Sequence, residues 1–208
     1  DQITFLEAEE NFVSAGGYKL SKALKDFGYS VVGKVFADIG ASTGGFTDCL
    51  FQNGASKVYC IDVGTSQLDD SLKTENIVII DGFNARNLNL NLFSEILDGI
   101  VIDVSFISLT YLLEAVSNVL LEGMDVIALI KPQFECGSRK VGKNGIVKDV
   151  KVREEIVEKI YNFAISVGLA PLKITYAPII KAKNTEYLLF MKKGGIPAKF
   201  IDLKKSII

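Results

Sequence analysis

Phe36-Ala37-Asp38-Ile39-Gly40-Ala41-Ser42-Thr43-Gly44-Gly45-Phe46-Thr47 joins an apolar strand to a glycine-rich turn and then to the start of a helix. Lys34 to Ile39 is largely apolar, as a strand covered on both faces of a parallel sheet is. Gly40, Gly44 and Gly45 permit backbone angles and close approach that a side chain would block. Ser42 and Thr43 are placed to cap the following helix, whose start would face a ligand. The order is D-x-G-x-x-x-G-G, with an acid ahead of the first glycine, and not the G-x-G-x-x-G of dinucleotide sites. An acid there suits a cationic ligand group better than a pyrophosphate. The plainer alternative is a tight strand-to-helix turn with Asp38 as a cap.

About twenty residues further on, where doubly wound sheets hold ribose hydroxyls, a second apolar strand, Lys57 to Ile61, ends in Asp62. Acids at the ends of the first and second strands are the pattern of S-adenosylmethionine-dependent methyltransferases. The flanking periodicity agrees. Tyr18, Leu20, Ala23, Leu24 and Phe27 keep helical spacing, with Gly28 as a stop. Strands are then expected near 35–39, 58–62, 77–80, 99–103, 125–130, 171–177 and 185–191, and helices near 44–53, 66–73, 109–121 and 150–168. This predicts a Rossmann-like α/β fold with a seven-stranded methyltransferase sheet. Its last two strands lack a helix between them and form a hairpin, which makes the last strand antiparallel. Pro132 to Asn144 reads as the longest irregular loop.

The 208 residues suffice for one α/β domain with a sizeable core. The expected division is a linker and helix over 1–30, the domain over 31–193 and a tail over 194–208. A net charge of −2 gives no global nucleic-acid footprint, so an RNA contact must be local. Lys131, Arg139, Lys140, Lys143, Lys148 and Lys151 form the one basic cluster, which reads equally as a solvated face. Three widely spaced cysteines and no histidine leave no C-x-x-C or Cys/His metal set and point to a reduced, cytoplasmic protein. Cys49 and Cys60 read as packing residues. Without histidine, any general base must be Lys, Asp, Glu or Tyr. No membrane span or signal peptide is visible.

Ligands in open α/β sheets bind beyond the carboxyl ends of the strands, where Asp38, Asp62, Asp81, Asp103 and Lys131 fall. Asp103 and Lys131 close adjacent central strands and would face each other across the cleft, as a catalytic pair or as a salt bridge tying two strand ends.

These residues, with Ser14-Ala15-Gly16-Gly17-Tyr18-Lys19-Leu20, Asp38 to Asp48, Asp62-Val63-Gly64, Asn84-Ala85-Arg86, Asp103-Val104-Ser105-Phe106-Ile107-Ser108-Leu109, Ile130-Lys131-Pro132-Gln133-Phe134-Glu135 and Val141 to Gly145, carry a resemblance. Over about Ser14 to Lys192 the chain resembles the TlyA, or hemolysin A, family, whose members have an FtsJ-like ribose 2′-O-methyltransferase domain. The resemblance implies a Lys-Asp-Lys-Glu tetrad at Lys19, Asp103, Lys131 and Glu186. With the strand pattern, it implies S-adenosylmethionine held by Asp38 and the loop Gly40, Ser42, Thr43, Gly44, Gly45 and Phe46 at its methionine part. Asp62 would take the ribose, and Val63 with Asn84 or Phe83 the adenine, Phe83 reading equally as core. It further implies ribosomal RNA or ribosomal subunits as partner, with cytidine as target, and no metal. Ala15 departs from the family's frequent arginine, and Asp69-Asp70-Ser71 from an apolar or aromatic residue. Family members begin with an S4-type RNA-binding domain, which residues 1–30 do not display.

A ribose hydroxyl is a poor nucleophile, so positioning and proton removal are the problem. A partly buried lysine can act as base near neutral pH. On this reading Lys131 takes the proton, Asp103 orients it, and Lys19 and Glu186 set the local field. Phe106 and Phe134 flank these ends and either stack on a base or belong to the core. The family's other name suggests a rival, a pore-forming or membrane-lytic protein. A second rival is a non-catalytic RNA-binding assembly factor.

Overall fold

The computed structural model describes residues 11–136, 142, 145–179 and 183–208. Seven strands, β1 (Val35–Ile39), β2 (Lys57–Ile61), β3 (Ile77–Ile80), β4 (Gly99–Ile102), β5 (Asp125–Ile130), β6 (Leu169–Tyr176) and β7 (Tyr187–Lys193), form one sheet in the order β3-β2-β1-β4-β5-β7-β6. β1 to β5 run parallel, and β7 enters antiparallel beside β5 and pairs with β6. This is the expected α/β sheet with its antiparallel edge hairpin.

The near-continuous apolar strands are explained by a core on each face. Ala37, Ile39, Tyr59, Ile61, Ile100 and Ile102 pack on one side with Leu113 and Val116 of α3 (Leu113–Val119) and Ile156 and Ile160 of α5 (Val150–Ser166). The alternate residues Phe36, Val58, Cys60, Val101 and Ile127 pack on the other. There they meet Leu20, Leu24 and Phe27 of α1 (Ala15–Phe27) and Cys49 and Leu50 of α2 (Gly45–Gln52). This period of two, buried on both faces, makes a parallel sheet read as uninterrupted hydrophobic runs. Gly28 ends α1 in the left-handed region at φ 60°, as its position predicts.

Two expected helices differ. Residues 66–73 contain a single 3-10 turn, Asp70–Leu72, because Asp69 accepts the Ser71 amide (2.9 Å) and hydroxyl, and Ser66 stands at φ 56°. Short polar side chains there take the backbone bonds a helix would use. The helix expected over 109–121 divides into a 3-10 turn, Leu109–Tyr111, capped by Ser108, and then α3. The loop from Pro132 opens with the short helix α4 (Pro132–Glu135); Arg139, Lys140 and Lys143 lie outside the described residues. A short helix, α6 (Phe200–Leu203), packs Leu203 into the core near the end of the chain.

Strand order reverses between β1 and β4, the switch point where an open sheet parts to admit a ligand. Gly40 marks it. A Cβ at Gly40, which stands at φ 82°, would lie 2.5 Å from the Asp103 carbonyl oxygen. At Gly45 the tight approach is between helices: a Cβ would meet Ser14 Oγ at 2.2 Å and the Gly17 amide nitrogen at 3.0 Å. Gly45→Ala is therefore expected to destabilise by about 1–3 kcal/mol despite alanine's better helix propensity, since overpacking against backbone outweighs it. Denaturant unfolding of the variant checks this; an unchanged midpoint would refute the contact.

Candidate functional site

The switch point opens into a cleft of about 340 Å³ lined by Ile39, Gly40, Ser42, Asp62, Val63, Phe83, Asn84 and the loop Asp103 to Ile107, within the range of small-ligand sites. A second cavity of about 170 Å³ shares Gly40, Ser42, Asp103 and Ser105 with it and adds Ser14, Gly16, Thr43, Gly45, Phe46 and Lys131. The two therefore lie side by side, with the Asp103 strand end forming part of both walls.

Asp62 follows β2 directly. Its Oδ2 accepts the Ser42 amide (2.9 Å) and its Oδ1 the Gly64 amide (2.8 Å), which aims the carboxylate while leaving lone pairs for hydroxyl donors. Val63 is 72% exposed and Phe83 is half-buried, touching both core and cleft. Asn84 Oδ1 accepts the Arg86 amide (3.0 Å), leaving its amide nitrogen for a ligand edge.

Asp38, two residues before Gly40 on β1, is fully buried and lines neither cavity. Its Oδ2 accepts from Thr47 Oγ1 (2.7 Å), while Oδ1 meets no donor among the described residues. Burial, opposed by the Thr47 hydrogen bond and reinforced by the negative charges of Asp103 and Asp62, pushes its carboxyl up to about 7. A buried acid with an orphaned oxygen just before the glycine loop, together with Asp62 in the cleft, suits a ligand that carries both a cationic end and a ribose. Ser42 and Thr43 do not cap α2 as expected; its N-cap is Gly44, at φ 97°, with no side-chain cap. The turn is too tight for them: Ser42 stands at φ 48°, with its amide given to Asp62, and the Thr43 carbonyl accepts the Asp69 amide (3.2 Å). Both line the second cavity instead.

The four tetrad positions gather as two ion pairs. Lys131 Nζ lies 2.6 Å from Asp103 Oδ1 and 2.8 Å from Ser105 Oγ. Lys19 Nζ, from α1, lies 2.7 Å from Glu186 Oε2, just before β7. Gln133 Nε2 donates to Glu186 Oε1 (3.3 Å), so the turn that bears Lys131 also reaches the second pair. Asp103 sits one residue beyond β4 and Lys131 one beyond β5, where neighbouring parallel strands deliver them side by side. Phe106 is no core residue: it is 90% exposed at φ 64°, with its ring 4.9 Å from that of Phe134. Cys49 and Cys60 are buried. Sequence reasoning gave no role to Ser105, Gln133 or Gly16: the first two act through partners distant in the chain, Gly16 lines the second cavity, and the signal that could have found them was their place in the motifs around Asp103, Lys131 and Lys19.

The chain is similar to several known proteins. A candidate rRNA methyltransferase of Bacillus subtilis, YqxC, is 43% identical over 187 residues, covering 88% of this chain and 66% of its own length. The 16S/23S rRNA (cytidine-2′-O)-methyltransferase TlyA of Mycobacterium tuberculosis is 36% identical over 188 residues, covering 89% of this chain and 70% of its own. The chain thus spans about two thirds of the length of these relatives. A solved structure from Lactococcus lactis, named as a candidate hemolysin, superposes with a TM-score of 0.87 at 42% identity, covering 93% of this chain and 97% of that one. The model of the FtsJ-like methyltransferases matches residues 12–193, which hold both cavities and both lysine–acid pairs, and the chain belongs to that family.

Proposed function

We propose that this chain transfers a methyl group from S-adenosylmethionine to a ribose 2′-hydroxyl of ribosomal RNA, at cytidine, in the cytoplasm. The observation that carries the reading is the adjacency of the two cavities: the cleft that holds Asp62 shares Asp103 and Ser105 with the cavity that the paired Lys131 lines. The names of the relatives support the substrate.

The cofactor supplies an electrophilic methyl carbon on a sulfonium. Asp62 would hold the ribose hydroxyls, the Gly40–Phe46 loop the methionine part near Asp38, and Val63, Phe83 and Asn84 the adenine. Asp103 and Ser105 fix the Lys131 amine beside the second cavity. Lys131 would accept the proton that the 2′-hydroxyl gives up as its oxygen receives the methyl group, which the cofactor, when bound, would supply. Lys19 and Glu186, with Gln133 bonded to Glu186, would set the local field and help hold the ribose. Positioning of this kind supplies roughly 7–11 kcal/mol in favourable cases. Among the described residues no group of His, Cys, Asp and Glu has the makings of a metal site, and no helix is long and apolar enough to cross a membrane.

The test is transfer of labelled methyl to ribosomal subunits and to deproteinised ribosomal RNA, with products mapped by nucleotide. Label in 2′-O-methylcytidine is expected; no label, from a protein shown to bind S-adenosylhomocysteine, would overturn the substrate assignment. Because the net charge gives no global attraction for RNA, exposed aromatics matter. Phe106→Ala is expected to raise the KM for RNA about 5- to 150-fold, the loss of one base–aromatic stack, with a smaller effect on S-adenosylhomocysteine affinity. Equal losses in both would place Phe106 in the cofactor cleft alone.

A further inference from the structure

Glu135 is a buried carboxylate for which neither methyl transfer nor cofactor binding has a use. Its side chain is only 2% exposed. It ends α4, the turn that begins at Lys131, yet its oxygens reach back to the other catalytic loop: Oε1 accepts the Leu109 amide (2.7 Å) and Oε2 the Ser108 hydroxyl. Lys159 of α5 stands 3.7 Å from Oε2 and is half exposed. Burying a carboxylate is costly unless its oxygens are met, and here they are met largely by this one loop.

The loop so held runs from Asp103 to Ser108. At its start the Asp103 amide donates to the Ile39 carbonyl (2.9 Å). At its end Glu135 is the anchor. Between the two stand Ser105, bonded to Lys131 Nζ, and Phe106, exposed and in the left-handed region against Phe134. A bulky residue at positive φ is strained and persists only where its surroundings over-determine it. Glu135 is one residue from Phe134 and four from Lys131, so one side chain fixes both partners of the aromatic pair and both partners of the Lys131–Ser105 bond.

We propose that Glu135 is a positioning residue for methyl transfer: it clamps the loop after β4 to the turn after β5 and so sets the place of Ser105 and Phe106 relative to Lys131. This rests on the catalytic reading of Lys131 above. The geometric part has its own readout, which needs no RNA.

The experiment compares wild type with Glu135→Gln, Glu135→Ala and Lys159→Ala. Hydrogen exchange at the Leu109 amide and over 103–109 is measured together with single-turnover methyl transfer at saturating RNA and cofactor, per molecule able to bind S-adenosylhomocysteine. Glutamine can accept the Leu109 amide and donate to Ser108, so it is expected to keep protection and to stay within about 3-fold of the wild-type rate. Glu135→Ala is expected to lose Leu109 protection and to slow transfer about 10- to 100-fold, since small misplacement at a reacting site costs on that order. Lys159→Ala removes the half-exposed cation beside Glu135 but leaves both loop hydrogen bonds, and is expected to keep Leu109 protection and to stay within about 3-fold of the wild-type rate. Unchanged Leu109 exchange in Glu135→Ala would overturn the clamp even if no RNA is ever methylated. Lost protection with an unchanged rate per binding-competent molecule would overturn the catalytic role, as would a glutamine variant no better than alanine. Wild type with a protected Leu109 and no transfer to any ribosomal RNA would instead count against the proposed function.

Discussion

Lys131→Ala is expected to lower single-turnover methyl transfer by roughly 10²–10⁴-fold, the range for loss of a general base, with cofactor affinity and folding largely retained. The Lys131 amine is held from two directions, by Asp103 Oδ1 at 2.6 Å and Ser105 Oγ at 2.8 Å, and it borders the second cavity rather than the cleft that holds Asp62. Removing it should cost proton transfer and orientation more than cofactor binding. Alanine alone does not separate a base from a cation that steadies Asp103. Lys131→Arg does: a guanidinium keeps positive charge beside Asp103 but does not give up its proton. An arginine variant as slow as alanine supports proton abstraction by Lys131. An arginine variant near wild type would sink that role and leave Lys131 as an electrostatic support. Lys19→Ala serves as the comparison, because Lys19 belongs to the other pair, with Glu186. Its loss should appear more in RNA affinity than in the rate at saturation.

How much of this was legible in the sequence depends on the range of the interaction involved. Asp62, Asp103 and Lys131 are visible as single polar residues closing apolar strands, because strand periodicity and the rule that ligands bind at carboxyl ends are local facts. The sheet, with its antiparallel hairpin, follows from the same periodicity. Lys19 and Glu186 have no such signal. They stand 167 residues apart, on the first helix and ahead of the last strand, and only family resemblance pairs them. The failures are equally specific. Ser42 and Thr43 look like helix caps, but the chain tightens so far at the switch point that glycine takes the cap and the Ser42 amide goes to Asp62. In the stretch 66–73 Leu68 and Leu72 are spaced as on one helix face, but Asp69 folds back on Ser71, and the Asp81 carboxylate takes the Ser66 amide at 2.7 Å. Glu135 looks like one more polar residue in a loop. What distinguishes it is burial against Leu109 and Ser108, about twenty-five residues earlier in the chain, which no local pattern encodes.

The acid that opens the glycine motif should also shape the protein's response to pH. Asp38 is raised from its ordinary value of 3.8 to about 7, chiefly by burial, against the opposing hydrogen bond from Thr47. Between these values the folded chain keeps a proton that the unfolded chain has released. The stability this contributes is fully present below about pH 4 and is lost as pH rises through about 7. At about 1.4 kcal/mol for each pH unit in which only the folded chain holds the proton, the wild-type protein should lose a few kcal/mol across that window from this group alone. Asp38→Asn keeps the shape and can still accept the Thr47 hydroxyl, but cannot ionise. Subtracting its unfolding free energy from that of wild type at each pH should give a difference that falls steadily from pH 4 to about 7 and then levels, with the asparagine variant the more stable above. The same linkage acts on the ligand. If, as proposed, the cofactor's cationic end binds near Asp38, its charge favours the ionised acid, so affinity for S-adenosylmethionine should rise with pH up to about 7 in wild type. Asp38→Asn should lose the part of that rise that does not come from the ligand's own titration. Parallel curves for the two proteins, in both stability and affinity, would mean that Asp38 stays in one charge state throughout. The acid of the motif would then be a fixed structural partner of Thr47 and not a counter-charge for the cofactor.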